Sequence, residues 1–205
     1  MRFHQTKSSA MFMLLGLFLA VGDIGRVSAE PPAGWGGGGK GYDLRVDKTE
    51  KHAGQASGSI KSIADERSPF ATFTQAFQAD DYRGKRLKMT AYVKSKEVDD
   101  WAGLWVRVDG KDKTGLAFDN MQDRPIKGTN DWNKHEVVLD VPDDAAEIYF
   151  GILLAGKGQV CVDDFKFEPV GKKAKTTGKA IEPSKREREP LKDLPKEPKN
   201  LNFEQ

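Results

Sequence analysis

The 205 residues carry 33 Lys/Arg against 31 Asp/Glu, with 38% hydrophobic and 9% aromatic content, enough for one core in one domain with appendages. Counted by segment, residues 30–170 hold 20 basic against 24 acidic side chains, and residues 171–205 hold 10 against 6. The mildly acidic body argues against nucleic acid as partner, because phosphate binding needs a dense basic face. Cys161 is the only cysteine, which excludes a disulfide within the chain. Its place between Val160 and Val162 points to a buried, inert thiol.

At the N-terminus, Arg2, His4 and Lys7 precede an apolar run over 10–21, and the small residues up to Ala29 follow. This is the pattern of a secretory signal spanning 1–29, cleaved after Ala29. The run is shorter than the roughly 20 apolar residues of a spanning helix. The expected product is therefore exported, to periplasm, cell surface or medium, with no membrane span. Residues 30–41 form a leading glycine-rich segment with little expected order of its own.

Between 42 and 170 the hydrophobic pattern has period two. Leu87, Met89, Ala91 and Val93 alternate with polar residues; Leu104, Val106 and Val108 oppose Trp105, Arg107 and Asp109; Ile148, Phe150, Ile152 and Leu154 oppose Glu147, Tyr149 and Gly151. Further strands are expected at Tyr42–Asp47, Ser57–Ile63, Phe70–Gln78, Thr114–Asp119, Lys134–Val141 and Gln159–Glu168. About nine strands without an amphipathic helix predict an all-β, antiparallel sandwich or jelly roll. Asp109-Gly110 predicts a tight hairpin with positive φ.

After Val170, Lys, Glu and prolines 183, 190, 195 and 198 predict an extended, solvated linker over 171–199. Residues 200–205 depart from that composition: Asn200-Leu-Asn-Phe-Glu204 alternates polar and apolar residues like a short strand, with a frayed end as the alternative.

The segments Tyr82–Leu87, Trp101–Asp109, Trp132 with Val137–Pro142, and Gly158–Glu168 resemble the β-sandwiches of the carbohydrate-binding-module and galactose-binding-like type found on exported bacterial proteins. The resemblance covers about Trp35 to Val170. It implies a short Asn-Leu-Asp-Phe-Glu-like strand before Gly34-Trp35, and the matching segment here stands at 200–204 instead. The tail is then expected to return to a vacant sheet edge, on its own sandwich or on a neighbour's, giving self-association in the second case. The resemblance also implies a structural calcium held by Asp163 or Asp164 with Glu204, hard oxygen donors of the kind Ca²⁺ takes.

Sugar-binding surfaces set aromatic faces against pyranose rings, beside amide and guanidinium groups that bond hydroxyls. Tyr92, Trp105, Arg107 and Tyr149 fall on the phase opposite the apolar positions, and would share a sheet face if their strands are neighbours. An exposed platform and a second core layer are both open readings for Trp105 and Tyr149. Trp101 stands at a loop-to-strand junction where partial exposure is expected. Trp132 reads as an edge plug of the core and Trp35 as a lid. In the loop 119–124, Asp119 and Asn120 are expected to fasten the backbone, and Gln122 and Arg124 to make contact. The candidate binding set is Tyr92, Trp101, Trp105, Arg107, Gln122 and Arg124.

Catalysis finds little support. After signal removal only His52 and His135 remain, neither in a metal-ligand spacing, and Ser57 lacks the glycine spacing of a nucleophile elbow. The expectation is a non-catalytic, exported module for a carbohydrate or other polyhydroxylated ligand. The alternatives are a cell-envelope interaction module that assembles through its C-terminal strand, and a sensory domain of the kind fused to bacterial regulators.

Overall fold

A computed structural model describes residues 32–178, 181–185, 191 and 193–205; the expected signal segment lies outside them. Among the described residues eleven strands follow in order: β1 Gly36–Gly38, β2 Tyr42–Asp47, β3 Ser57–Ser62, β4 Phe70–Gln78, β5 Arg86–Gly110, β6 Lys113–Thr114, β7 Ala117–Asp119, β8 Ile126–Asp140, β9 Ala145–Ala155, β10 Gln159–Val170 and β11 Ser184–Lys185. Every pairing is antiparallel. Among the described residues no helix is long and apolar enough to cross a membrane.

The long β5 belongs to two layers. Residues 86–96 lie between β8 and β10, with β3 and β2 beyond; this is the back layer. Residues 101–110 lie between β7 and β9, with β4 and β1 beyond; this is the front layer. The bend between them coincides with register slips against β8 from Val93 to Ala102, and with Glu97 at φ 52°. Strands that turn a corner of a sandwich do so at such irregularities, because an unpaired residue breaks the ladder and increases twist. The chain is thus an all-β, antiparallel sandwich with jelly-roll layering.

The alternation seen in the sequence fills the space between the layers. Leu87, Met89, Ala91 and Val93 from the back layer meet Leu104, Val106, Val108, Ile148, Phe150, Ile152 and Leu154 from the front layer, all essentially without exposure. Full burial of each large side chain stabilises by about 1.5–3 kcal/mol. In β10 the phase changes: Val160 and Val162 point inward, and then Phe165 joins the core. A bulge between Asp163 and Lys166, with Asp164 at φ 53°, shifts the alternation by one residue. That is the physical content of the Asp-Asp-aromatic closing pattern.

Four expectations are corrected. The leading glycines are ordered at Gly36–Gly38, as an edge strand on β4. A Cβ at Gly37 would lie 1.9 Å from Thr72 O, so glycine is required for that close backbone approach. Asp109-Gly110 makes no positive-φ turn; the positive angle falls at Gly115, φ 78°, whose N–H donates to the buried Asp109 carboxylate at 2.8 Å.

The described part of 171–199 is a strap laid on the sandwich, where a free linker was expected. Thr177 N–H donates to Val138 O at 2.9 Å, β11 pairs β6, and the Gln75 side chain exchanges two bonds with the Lys199 backbone. Strand-edge side chains satisfy backbone groups that composition alone assigns to water.

The 200–204 segment does return, and in this structure it lies on its own sandwich, but as turns and not as an edge strand. Its role is packing. Phe203 is 1% exposed and stacks on Trp35 at 4.8 Å, while Trp35 Nε1 donates to Asn200 O at 2.9 Å. Trp35 is accordingly core, with Phe73, Phe150 and Phe165 around it.

Candidate ligand-binding face

The front layer carries its outward side chains on β5 at Trp101, Trp105 and Arg107, with Gly103 between the two tryptophans. Trp105 is half-buried, and its Nε1 donates to Thr72 Oγ1 on β4 at 2.9 Å. To reach β4 the indole crosses β9 at Gly151, the register partner of Trp105. A Cβ at Gly151 would stand 3.2 Å from that Nε1 and 1.8 Å from Phe73 O. The indole therefore reaches across β9 to β4, passing the position where Gly151 carries no side chain, and stays partly exposed.

Trp101 repeats the device. A Cβ at Gly103 would lie 3.5 Å from Trp101 Cζ3, and closer still to Asn120 O and Met121 Cβ. Both tryptophans are half-buried, and both glycines are themselves buried, Gly103 against the 120–121 backbone.

Arg107 is held in place from two sides. Its guanidinium carbon lies 4.7 Å over the Tyr149 ring, and its Nε and Nη2 donate to Asp109 at 3.0 and 2.9 Å. Tyr149 is 5% exposed and donates its hydroxyl to Glu147 Oε2 at 2.8 Å. Of the two open readings for these rings, Tyr149 is a covered second layer and Trp105 is partly exposed. The resulting face offers two indole surfaces and an oriented cation, a set able to stack on an apolar ring face and bond hydroxyls.

Three of the candidate binding residues, Trp101, Trp105 and Arg107, are thus brought together. Gln122 is exposed on the adjoining loop, beside a shallow groove of about 420 Å³ lined with Phe118, Asn120, Thr177 and Ile181. Arg124 does different work. It donates to Asp119 through Nη1 at 3.1 Å and Nη2 at 2.6 Å, and to Glu136 O at 3.1 Å. Burial pushes the Asp119 carboxyl up, but bonds from Arg124, Thr177 Oγ1 and Met121 N–H outweigh it and hold the group below the usual range. Arg124 therefore locks the loop.

Tyr92 lies on the opposite side of the molecule. It belongs to the outer face of the back layer, where the His52 ring stacks on it at 3.6 Å and Lys134 approaches its ring at 6.0 Å. Trp132 is half-buried beside His52, at 5.8 Å edge-on, and is no core plug. Alternation gave Tyr92 and Trp105 the same phase, but β5 changes layers between them, so equal phase means opposite faces.

The carboxylates named as metal ligands are placed separately. Asp163 and Asp164 group with His52, their ligand atoms within 4.8 Å of one another, and Glu204 stands outside that group. Asp163 is fully buried; it accepts N–H bonds from His52, Ala53 and Asp164, and burial raises its carboxyl. Glu204 accepts from Gln55 N at 2.6 Å and Ala56 N at 3.2 Å. Both carboxylates accept backbone N–H groups of the 52–56 loop, Asp163 from its start and Glu204 from its end. Sequence reasoning missed His52, Asp109, Thr72 and the paired glycines; Trp-x-Gly-x-Trp on one strand phase was the available signal for Gly103.

No family model matches the chain. It is 41% identical over 165 residues to an uncharacterised helix-turn-helix-type transcriptional regulator, YbfP, of Bacillus subtilis (strain 168), covering 80% of this chain. The chain spans about half, 53%, of that relative's length. Among solved structures it is similar to an arabinose-bound α-L-arabinofuranosidase, MgGH51, with TM-score 0.50, 15% identity, and coverage of 67% of this chain and 23% of that one. It is also similar to the CBM22-1 xylan-binding domain of Paenibacillus barcinonensis Xyn10C, with TM-score 0.49, 16% identity, and coverage of 70% and 90%. At such identities the likeness concerns the fold.

Proposed function

We propose that the chain is a non-catalytic, exported carbohydrate-binding sandwich whose front face takes a sugar ring against Trp105. One observation carries the reading: the Trp105 indole is laid across Gly151, pinned by Thr72, and left partly exposed beside an oriented Arg107. Pinning matters because a platform already held flat loses little rotamer freedom when a ligand stacks on it. The test is a glycan array with wild type beside Trp105→Ala. Retention by wild type and its loss in the variant are expected; equal retention, or none by either, sinks the reading.

A second reading has its own support in the 41% identity to a regulator. The sandwich is then a ligand-sensing domain of a larger protein, with the same front face reporting the bound sugar. Measuring where the mature chain resides, and whether residues 1–29 are removed, separates the two. We also propose a structural calcium held by Asp163 or Asp164 with Glu204, hard oxygen donors whose two segments both bond the 52–56 loop. An unchanged melting temperature on chelation and on calcium addition would count against that.

A further inference from the structure

Between the front face and the strap runs a groove of about 540 Å³, lined by Gly36, Thr74, Tyr149, Leu194, Pro195 and Lys199 among others. One side is sheet and the other is strap. The strap is fixed there by bonds along β4. Gln78 N–H donates to Pro195 O at 3.0 Å and its Nε2 to Leu194 O at 2.7 Å. The buried Gln75 donates to Lys199 O at 2.9 Å and accepts from Lys199 N at 2.6 Å. Leu191 N–H donates to Glu147 at 2.9 Å.

This groove continues the Trp105 face. Thr74 and Trp105 are both register partners of Gly151, from opposite sides, so they occupy one row across β4, β9 and β5. Thr72, which holds the indole, has its Oγ1 3.4 Å from that of Thr74. Tyr149, under Arg107, is also part of the groove wall. With strands about 4.8 Å apart, the Thr74 and Trp105 backbones lie about 10 Å apart, and the indole itself reaches toward β4. A ligand that starts on the indole and runs across the strands therefore arrives at the strap.

We propose that the strap makes this row into a cleft for an oligosaccharide: one sugar residue stacks on Trp105, and a later residue of the same chain lies in the groove between Gly36 and Leu194. Leu194 and Pro195 supply an apolar wall for a ring face, while Thr74 and Lys199 supply hydroxyl partners. This rests on the carbohydrate reading above and adds chain length to it. Selection for an oligomer over a monomer then comes from a segment whose composition reads as linker.

The test is titration calorimetry of the full chain with β-1,4-linked xylose, glucose and galactose series of one to six units. Variants are Trp105→Ala, Gly36→Leu and Leu194→Asp. Gly36 has ordinary φ and its added Cβ would meet only Thr74 O, at 3.9 Å, so leucine there fills the groove without straining the strand. Wild type is expected to bind longer members of one series at least tenfold tighter than its shortest binding member. Gly36→Leu and Leu194→Asp, on opposite walls, should each remove that gain and leave the shortest member's affinity unchanged. Trp105→Ala should weaken every length. If both groove variants keep the gain while Trp105→Ala weakens binding, the groove is wrong and the carbohydrate reading stands. Affinity independent of length in wild type also overturns the groove. No binding by wild type, or equal binding by Trp105→Ala, overturns both.

Discussion

The two outer faces of this sandwich use the same residue types to opposite ends. On the front face, Trp101 and Trp105 lie beside Gly103 and Gly151, and both indoles are partly exposed. On the back face, Tyr92 is stacked by His52 on one side and approached by Lys134, with Trp132 edge-on nearby. An aromatic ring becomes a platform when its neighbours are small, and part of a surface cluster when they are large. The difference lies in positions 103 and 151 more than in the tryptophans.

The strongest way to break the comparison is to give the front face a side chain where it has none. Gly151→Ala puts a Cβ 1.8 Å from Phe73 O, a collision with backbone that no rotamer relieves. A loss of about 4 kcal/mol or more is expected in urea denaturation, in the range reserved for specific structural failures. Near-wild-type stability would show that β4 and β9 can separate there, and that the floor under Trp105 is soft.

Next is the loop lock at the edge of that face. Arg124→Ala leaves Asp119, 6% exposed, without its guanidinium, and should cost about 1.5–3 kcal/mol, the usual range for a bond to a charged group. The sign with pH follows from the lowered Asp119 carboxyl. A carboxyl lowered on folding contributes stability that is present above its unfolded value and lost as pH falls through the folded value. Acid unfolding should therefore be less steep in Asp119→Asn, with wild type's advantage constant above about pH 4 and shrinking as pH falls below it. A smaller effect, read as affinity, is expected from Trp105→Ala: at least tenfold weaker glycan binding, or about 1.4 kcal/mol, with Tyr92→Ala unchanged.

Much of the fold was legible because period-two alternation is a direct readout of which strand face is buried. The strands of 42–47 and 70–78, and the alternation over 147–154, needed nothing more. The site was less legible because faces depend on events that alternation does not encode. The bend in β5 between Val93 and Ala102 separates Tyr92 from Trp105, and the Asp163-Asp164 bulge inverts the phase of β10. Composition misled in the tail. Lys and Pro at 171–199 signal solvation, yet the polar groups of this segment meet Gln75, Gln78 and Glu147 side chains. Phe203 and Leu201 were the one sequence hint that the chain must return.

The smallest effect is expected on the back face, and it is the cleanest control. His52 is exposed, bonds Asp164 at 2.8 Å and stacks on Tyr92 at 3.6 Å. An exposed imidazole–carboxylate contact of this kind is worth about 0–1 kcal/mol and a ring pair about 0.5–1.5 kcal/mol. Solvent screening and the retained backbone bond from His52 N–H to Asp163 place His52→Ala at about 1 kcal/mol or less. Its removal uncovers one side of Tyr92 and so makes the back face resemble the front. If an uncovered ring were sufficient for binding, this variant would gain glycan retention on the array. If pinning and an adjacent oriented cation are also required, retention stays at the wild-type level and still vanishes with Trp105→Ala. The front-face account predicts the second result, since among the described residues no hydrogen bond fixes the Tyr92 ring as Thr72 fixes Trp105.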